Sequence, residues 1–337
     1  MPDIFPTDDD IRRMLERHVD VERKAAGAVA GIIHGDRHSI VAHGAADAAK
    51  TLETDAVFEI ASVTKVFTGL LLADMVERAE VDFDTTVCAL LPGFSKNTPT
   101  GDGPPITLLD LATHHSGLPR LPGNFAPADR QDPYLDYDAE KLYAFLASYV
   151  PPPDAGTKYA YSNLGAGLLG HALAVRAGMS YEELVQAVIL RPLGMASTFI
   201  AIPAAQAGKV AQGHNQALAP VGAWHHGSLG GCGGLRSSAG DLLKFLAAFI
   251  DPPSSPLHHS IERMLACRKP TGIKDLEIGM GWHISQKKGR DIIWHNGMTG
   301  GFGSFAAFDP ATKTGVAVLA NTECVVDGIG MNILCPP

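Results

Sequence analysis

No apolar run in this chain approaches the roughly 20 residues that a membrane-spanning helix requires, so no transmembrane segment is expected. Clusters of lysine and arginine are missing too. Arg12-Arg13 and Lys287-Lys288 are isolated pairs in a chain with 27 basic and 36 acidic residues and a net charge of −9. Without a basic patch, neither nucleic acid nor an anionic membrane surface is an expected partner. Cysteine is scarce, five in 337 residues, and forms no C-x-x-C pair, which argues against a disulfide framework and a zinc site. Histidine is plentiful at fourteen, but His114-His115, His225-His226 and His258-His259 are adjacent pairs whose side chains diverge on a helix or strand. There is no H-E-x-x-H, so neither a metal nor another cofactor is expected. Met1-Pro2-Asp3-Ile4-Phe5 lacks the charged start and apolar stretch of a secretory leader. The expected location is periplasmic or secreted if a leader has been removed, with the cytoplasm as the alternative.

What is present is ordinary globular composition, 46% hydrophobic and 19% charged, ample for a sizeable core. Residues 8–22 have helical spacing, with Ile11, Met14, Leu15, His18 and Val19 on one side. Residues 26–34 and 39–43 read as strands joined at Gly35-Asp36, and 57–60 as a short strand. From Ser62 to about Glu80 the apolar residues Val66, Phe67, Leu70, Leu71, Met75 and Val76 return to intervals of three and four. The middle of the chain, about 85–265, alternates Pro- and Gly-rich loops (98–105, 151–156, 251–256) with helical stretches at 107–114, 139–148, 163–177, 181–190 and 238–249. Beyond 275, alternating strands are expected at 278–285, 291–295, 303–308 and 314–320, then a helix over 324–334. Strands at both ends with helices between give an α/β (α+β) fold: an antiparallel sheet flanked by helices and built from both termini, with an inserted mainly helical domain. The expected division is 1–85 and 266–337 for the first domain and 86–265 for the second, with the active site between them.

Three short segments carry candidate chemistry. Ser62-Val63-Thr64-Lys65 is an S-x-x-K where a strand gives way to a helix. Residues i and i+3 share a helix face, so the lysine amine can reach the serine hydroxyl, and a helix N-terminus favours a developing oxyanion. A serine hydroxyl needs such a partner to act as a nucleophile. The same four residues also fit a serine that caps a helix while its lysine points to water. Tyr159-Ala160-Tyr161-Ser162-Asn163 offers a phenol that can take a proton if a cation stabilises its charge, and an amide suited to gripping another amide. A buried tyrosine followed by a helix cap is its structural alternative. Trp294-His295-Asn296-Gly297-Met298 ends a strand, places a histidine near whatever the glycine allows to approach, and otherwise reads as an ordinary strand end. A G-x-S-x-G elbow is absent; His226-Gly227-Ser228-Leu229-Gly230 lacks the first glycine, which argues against an α/β-hydrolase.

Taken in order, S-x-x-K, Y-x-N and a terminal H-x-G strand resemble the motifs of the penicillin-recognising serine enzymes. With Tyr-Ser-Asn in second place the chain is similar to the class C β-lactamase group and its D-alanyl-D-alanine carboxypeptidase and family VIII carboxylesterase relatives. The segment 106–119 also looks like that group's stretch before the active-site loop. The resemblance implies that Ser62 attacks the carbonyl while Tyr161 and Lys65 take up and return its proton. It implies that Asn163 holds the substrate's amide side chain, that the backbone N–H groups of Ser62 and Met298 form the oxyanion hole, and that His295, beside Asn296 and Gly297, stands where many relatives have lysine. Here the third motif is His-Asn-Gly rather than Lys-Thr-Gly, and 323–330 lacks the Asn and Arg that help relatives bind a substrate carboxylate. The expected activity is a serine hydrolase forming an acyl-enzyme on a small-molecule or peptide substrate, either a β-lactam or a D-Ala-D-Ala cell-wall peptide. A carboxylesterase on short-chain esters and a non-hydrolytic penicillin-binding receptor are the alternatives.

Overall fold

The computed structural model describes residues 5–91 and 104–336; most of the loop read at 98–105, and the start of the chain, lie outside them. Eleven strands are present among the described residues: β1 (Gly27–His34), β2 (Arg37–Asp47), β3 (Lys50–Thr51), β4 (Val57–Glu59), β5 (Arg236–Ser238), β6 (Lys269–Pro270), β7 (Leu276–Ile278), β8 (His283–Lys287), β9 (Arg290–Met298), β10 (Gly303–Asp309) and β11 (Thr314–Ala320). Nine of them form one sheet in the order β3-β2-β1-β11-β10-β9-β8-β7-β6. The pairing is antiparallel throughout. Strands from the two termini therefore meet at β1 and β11, Ala28 opposite Ala320 and His34 opposite Thr314.

The period-two alternation of these strands separates two cores. Ala30 and Ile32 on β1, Val316 and Val318 on β11 and Phe305 on β10 face one layer, where Ile11 and Leu15 of the helix Asp8–Glu16 and Ile333 of the helix Asp327–Leu334 cover them. Val29 and Ile33, Ala317 and Leu319, and Phe308 face the opposite layer and join the larger core. With both faces covered, β10 and β11 are buried along their whole length, as a sheet packed on two sides requires.

The larger core includes the helices Thr64–Glu77, Asn163–Ala177 and Ala239–Ile250. The last lies in the 86–265 stretch yet packs on the sheet, its Leu243 and Ala239 against Gly31 of β1 and its Leu246 and Ile250 against Gly315 of β11. β4 and β5 pair only with each other. The strand read over 278–285 is interrupted, and β7 and β8 form a hairpin around Gly279–Gly281. Gly281 has φ +87°, and a Cβ there would lie 2.7 Å from the Lys65 carbonyl oxygen. The break in the alternation thus lets a turn press on the first turn of the helix that carries Lys65. The helix His258–Ala266 was not expected; its Ser260 hydroxyl donates to Asp74 at 3.1 Å, holding it to the helix Thr64–Glu77.

Candidate active site

Residues Thr64 to Met75 are all buried. A helix apolar on every side sits in a core rather than on a surface, so the stripe read in the sequence is part of a fully enclosed helix. Ser62 lies in the short turn Ala61–Val63 at its start. Ala61 has φ +46°, a left-handed conformation costly for a residue with a Cβ and found where a side chain must be aimed. The turn is fixed from two sides. Ser304 Oγ of β10 donates to the Ile60 carbonyl at 2.7 Å. Gly297 of β9 lies against the same backbone, where an added Cβ would be 2.5 Å from the Ile60 oxygen and 2.8 Å from the Ser62 nitrogen. Glycine in the third motif is therefore required by the approach of β9 to the Ser62 turn.

Lys65 is 2% exposed. Its Nζ donates to Ser62 Oγ at 2.9 Å, to Asn163 Oδ1 at 2.9 Å and to the Cys232 carbonyl at 2.7 Å. An ammonium has three donors, and each has an acceptor here. Asn163 also donates through Nδ2 to Tyr134 Oη at 3.1 Å, so its carboxamide braces Lys65. The Lys65 Nζ lies 4.9 Å from the centre of the Tyr161 ring, and Arg120 Cζ is 5.2 Å from that centre. Both distances are within the range of cation–π attraction.

The Tyr-Ser-Asn segment is strapped to residues 114–120. Ser162 N donates to His114 Nδ1 at 3.2 Å, Ser162 Oγ to the Pro119 carbonyl at 2.7 Å, and Asn163 N to the Arg120 carbonyl at 3.0 Å. Ser162 caps the following helix through Gly165 N at 2.8 Å. The cap read in the sequence is real, and it sets Tyr161 and Asn163 on either side of Lys65.

Ser62, Tyr161, Asn163, Asn296, Gly297 and Met298 line one cavity of about 420 Å³. His295 does not. It is 1% exposed, with its ring 6.2 Å from that of Tyr161 and 5.1 Å from that of His283. Its Nδ1 is 2.6 Å from the Asn296 carbonyl, and its Nε2 is buried with no hydrogen-bond partner. Burial, then the nearby His283 and Lys65, push it well below the usual histidine value. His295 is neutral at working pH and supplies no cation to the cavity.

Several residues in or beside the cavity have no role assigned in the sequence reading. Arg120 is exposed at the rim and follows directly on the segment 106–119. Tyr159, whose phenol burial pushes up to about 12, and His283, lowered to about 4 by burial and by Lys65, lie beside Trp294 on another wall. Asp327 lies in the terminal stretch noted above only for what it lacks, and Cys232 contributes a main-chain carbonyl that no motif marks. Among the described residues, one group of side chains is spaced to hold a metal ion, the half-buried His258 with the exposed His259 and Glu262, none of which lines this cavity. No helix among them is long and apolar enough to cross a membrane.

Known proteins share this arrangement of chain. Over 324 residues the sequence is 28% identical to the D-alanyl-D-alanine-carboxypeptidase/endopeptidase AmpH of Escherichia coli K12, covering 90% of this chain and 81% of that protein. It is 25% identical to a Beta-lactamase of Pseudomonas fluorescens over 352 residues, with 93% and 94% of the two chains covered. The crystal structure of a class C beta lactamase from Rhodobacter sphaeroides superimposes with a TM-score of 0.80 at 28% identity, over 94% of this chain and 95% of that one. The Beta-lactamase family profile matches residues 11–328. The chain belongs to the Beta-lactamase family and, like the family's other members, is a serine hydrolase.

Proposed function

We propose that Ser62 is acylated by a β-lactam or a D-Ala-D-Ala type peptide and released by water. The observation that carries this reading is the 2.9 Å contact between Lys65 Nζ and Ser62 Oγ, in a cavity, with Lys65 held by two further acceptors. Ser62 Oγ forms the bond to the carbonyl carbon, and its proton passes to the Tyr161–Lys65 pair. The pair returns that proton to the leaving nitrogen or oxygen as the C–N or C–O bond breaks, and water then repeats the sequence on the acyl-enzyme. The N–H groups of Ser62 and Met298 would hold the oxyanion, with Gly297 keeping that strand close. Asn163 would serve the substrate amide only by sharing the carboxamide that braces Lys65, and Asn296, which lines the same cavity, would also contact the substrate. His295 would act by packing against this machinery. We also propose a two-part organisation, 1–85 with 266–337 and 86–265, with the cavity between the parts; the helix Ala239–Ile250 belongs to the second part by chain order and packs on the sheet of the first. Cell-wall peptide substrates would place the enzyme in the periplasm or outside the cell.

A second reading, hydrolysis of short-chain esters, is favoured by the buried, neutral state of His295, which leaves the third motif without a charge for an anionic substrate. A panel of a chromogenic cephalosporin, a D-Ala-D-Ala peptide and a short-chain nitrophenyl ester separates the two. Higher kcat/KM on the first pair supports the primary reading, and on the ester the second. A stoichiometric burst without turnover on all three would identify a receptor and contradict both.

A further inference from the structure

Asp327 opens the C-terminal helix and lines the same cavity as Ser62. Its Oδ2 accepts a hydrogen bond from Asn296 Nδ2 at 2.7 Å. The influences on its carboxyl are burial, which raises its pKa, and bonds from Asn296 and its own backbone, which oppose that; no cation is among them. Half-buried carboxylates are ordinarily paired, because removing one from water is costly. Asn296 has committed a donor to Asp327, which leaves its oxygen as an acceptor on the same wall. Met298, 49% exposed, and Val325, 65% exposed, flank the pair with apolar surface open to the cavity. Acceptors edged by aliphatic surface suit an alkylammonium group. A carboxylate there would meet Asp327 with like charge, and Arg120, the cavity's exposed cation, stacks instead on Tyr161.

We infer that Asp327 and Asn296 form a subsite for an ammonium group carried by the substrate near its scissile carbonyl. This rests on the acylation of Ser62 alone: it favours an amine-bearing amide or ester over the carboxylate-bearing β-lactams and D-Ala-D-Ala peptides of the primary reading. Asp327 is the specificity-determining residue, and substrates with a carboxylate on this side are disfavoured.

The test uses the full chain and three alkyl fluorophosphonates of matched length, ending in an ammonium, a methyl and a sulfonate group. Each reacts as Ser62 Oγ forms the P–O bond, fluoride leaves and the serine proton goes to base. Second-order labelling rates are measured at pH 8 and low ionic strength, where charge complementarity is least screened. The cationic probe is expected to react at least about tenfold faster than the neutral one, and the anionic probe slowest, in line with partly desolvated charge pairs. Asp327→Asn, with Asp327→Ser as a second variant, should bring cationic and neutral rates within about threefold, since the pair's charge is gone. Equal rates for the three probes in the wild type, or a cationic preference that survives both substitutions, overturn the subsite while leaving the acyl-enzyme reading intact. Failure of every probe to label Ser62 overturns both.

Discussion

Gly297→Ala is the smallest change that tests how the third motif serves the nucleophile. The added methyl would lie 2.5 Å from the Ile60 carbonyl oxygen, 2.5 Å from Ser304 Oγ and 2.8 Å from the Ser62 nitrogen. Two of these atoms are backbone, so no rotamer change relieves them. β9 or the Ser62 turn must move by several tenths of an ångström. Overpacking of this kind costs about 1–3 kcal/mol, which corresponds to a fall in Tm of roughly 2–6 °C for a chain of this size. The catalytic loss should be larger than the stability loss, because a shift near 1 Å in a reacting group costs about 10²-fold and loss of an oxyanion donor about 10²–10³-fold. We expect kcat/KM to fall at least a hundredfold in a protein that still melts cooperatively. Gly240→Ala is the control: its Cβ would meet nothing nearer than Ile40 at 3.5 Å, and it should leave activity and Tm close to wild type. Wild-type kcat/KM in Gly297→Ala would refute the idea that close packing of β9 positions Ser62.

Lys65 and Tyr161 should act as one unit, since the ammonium lies 4.9 Å from the ring centre. Steady-state kinetics should give Lys65→Ala, Tyr161→Phe and the double variant similar losses, whereas additive losses would mean independent roles. Asn163→Ala removes one of three acceptors from Lys65 and should lower kcat about tenfold to a hundredfold with little change in KM, because a misplaced lysine affects the chemical step more than binding. The buried histidines should make the fold acid-sensitive. His283 and His226 are lowered to about 4 and about 3, burial being the main cause in each. Below pH 6.5 the unfolded chain binds protons that the native state refuses, so stability falls with pH by up to about 1.4 kcal/mol per unit for each such histidine. The loss runs from 6.5 down to about 4 for His283, and thermal melts from pH 7.5 to 4.5 should show a shallower decline for His283→Gln.

Legibility followed chain distance. Elements bounded by local signals were readable: the helix Asn163–Ala177 starts at the Ser162 cap and ends at Gly178 with φ +66°, and β1 and β2 join at the Gly35-Asp36 turn. Residues whose role is set by long-range contacts were not. Arg120 matters because it meets Tyr161, and Cys232 because its carbonyl accepts from Lys65, and neither contact leaves a periodic trace. Residues 238–249 fall in the 86–265 stretch by chain order, and their packing on the sheet through Gly31 and Gly315 is a long-range contact that leaves no local signal. His295 was read from its motif neighbours as a group facing substrate, yet strand alternation turns its side chain inward while Asn296 faces the cavity.

Ser62 as the acylated residue is tested most directly by incubating the protein with a penicillin or a fluorophosphonate and locating the adduct by peptide mass. One equivalent on Ser62, with labelling slowed by orders of magnitude in Lys65→Ala, is the expected result, as loss of a nucleophile's partner does elsewhere. An adduct on Ser116, Ser228 or another serine, with Ser62 unmodified, would contradict it.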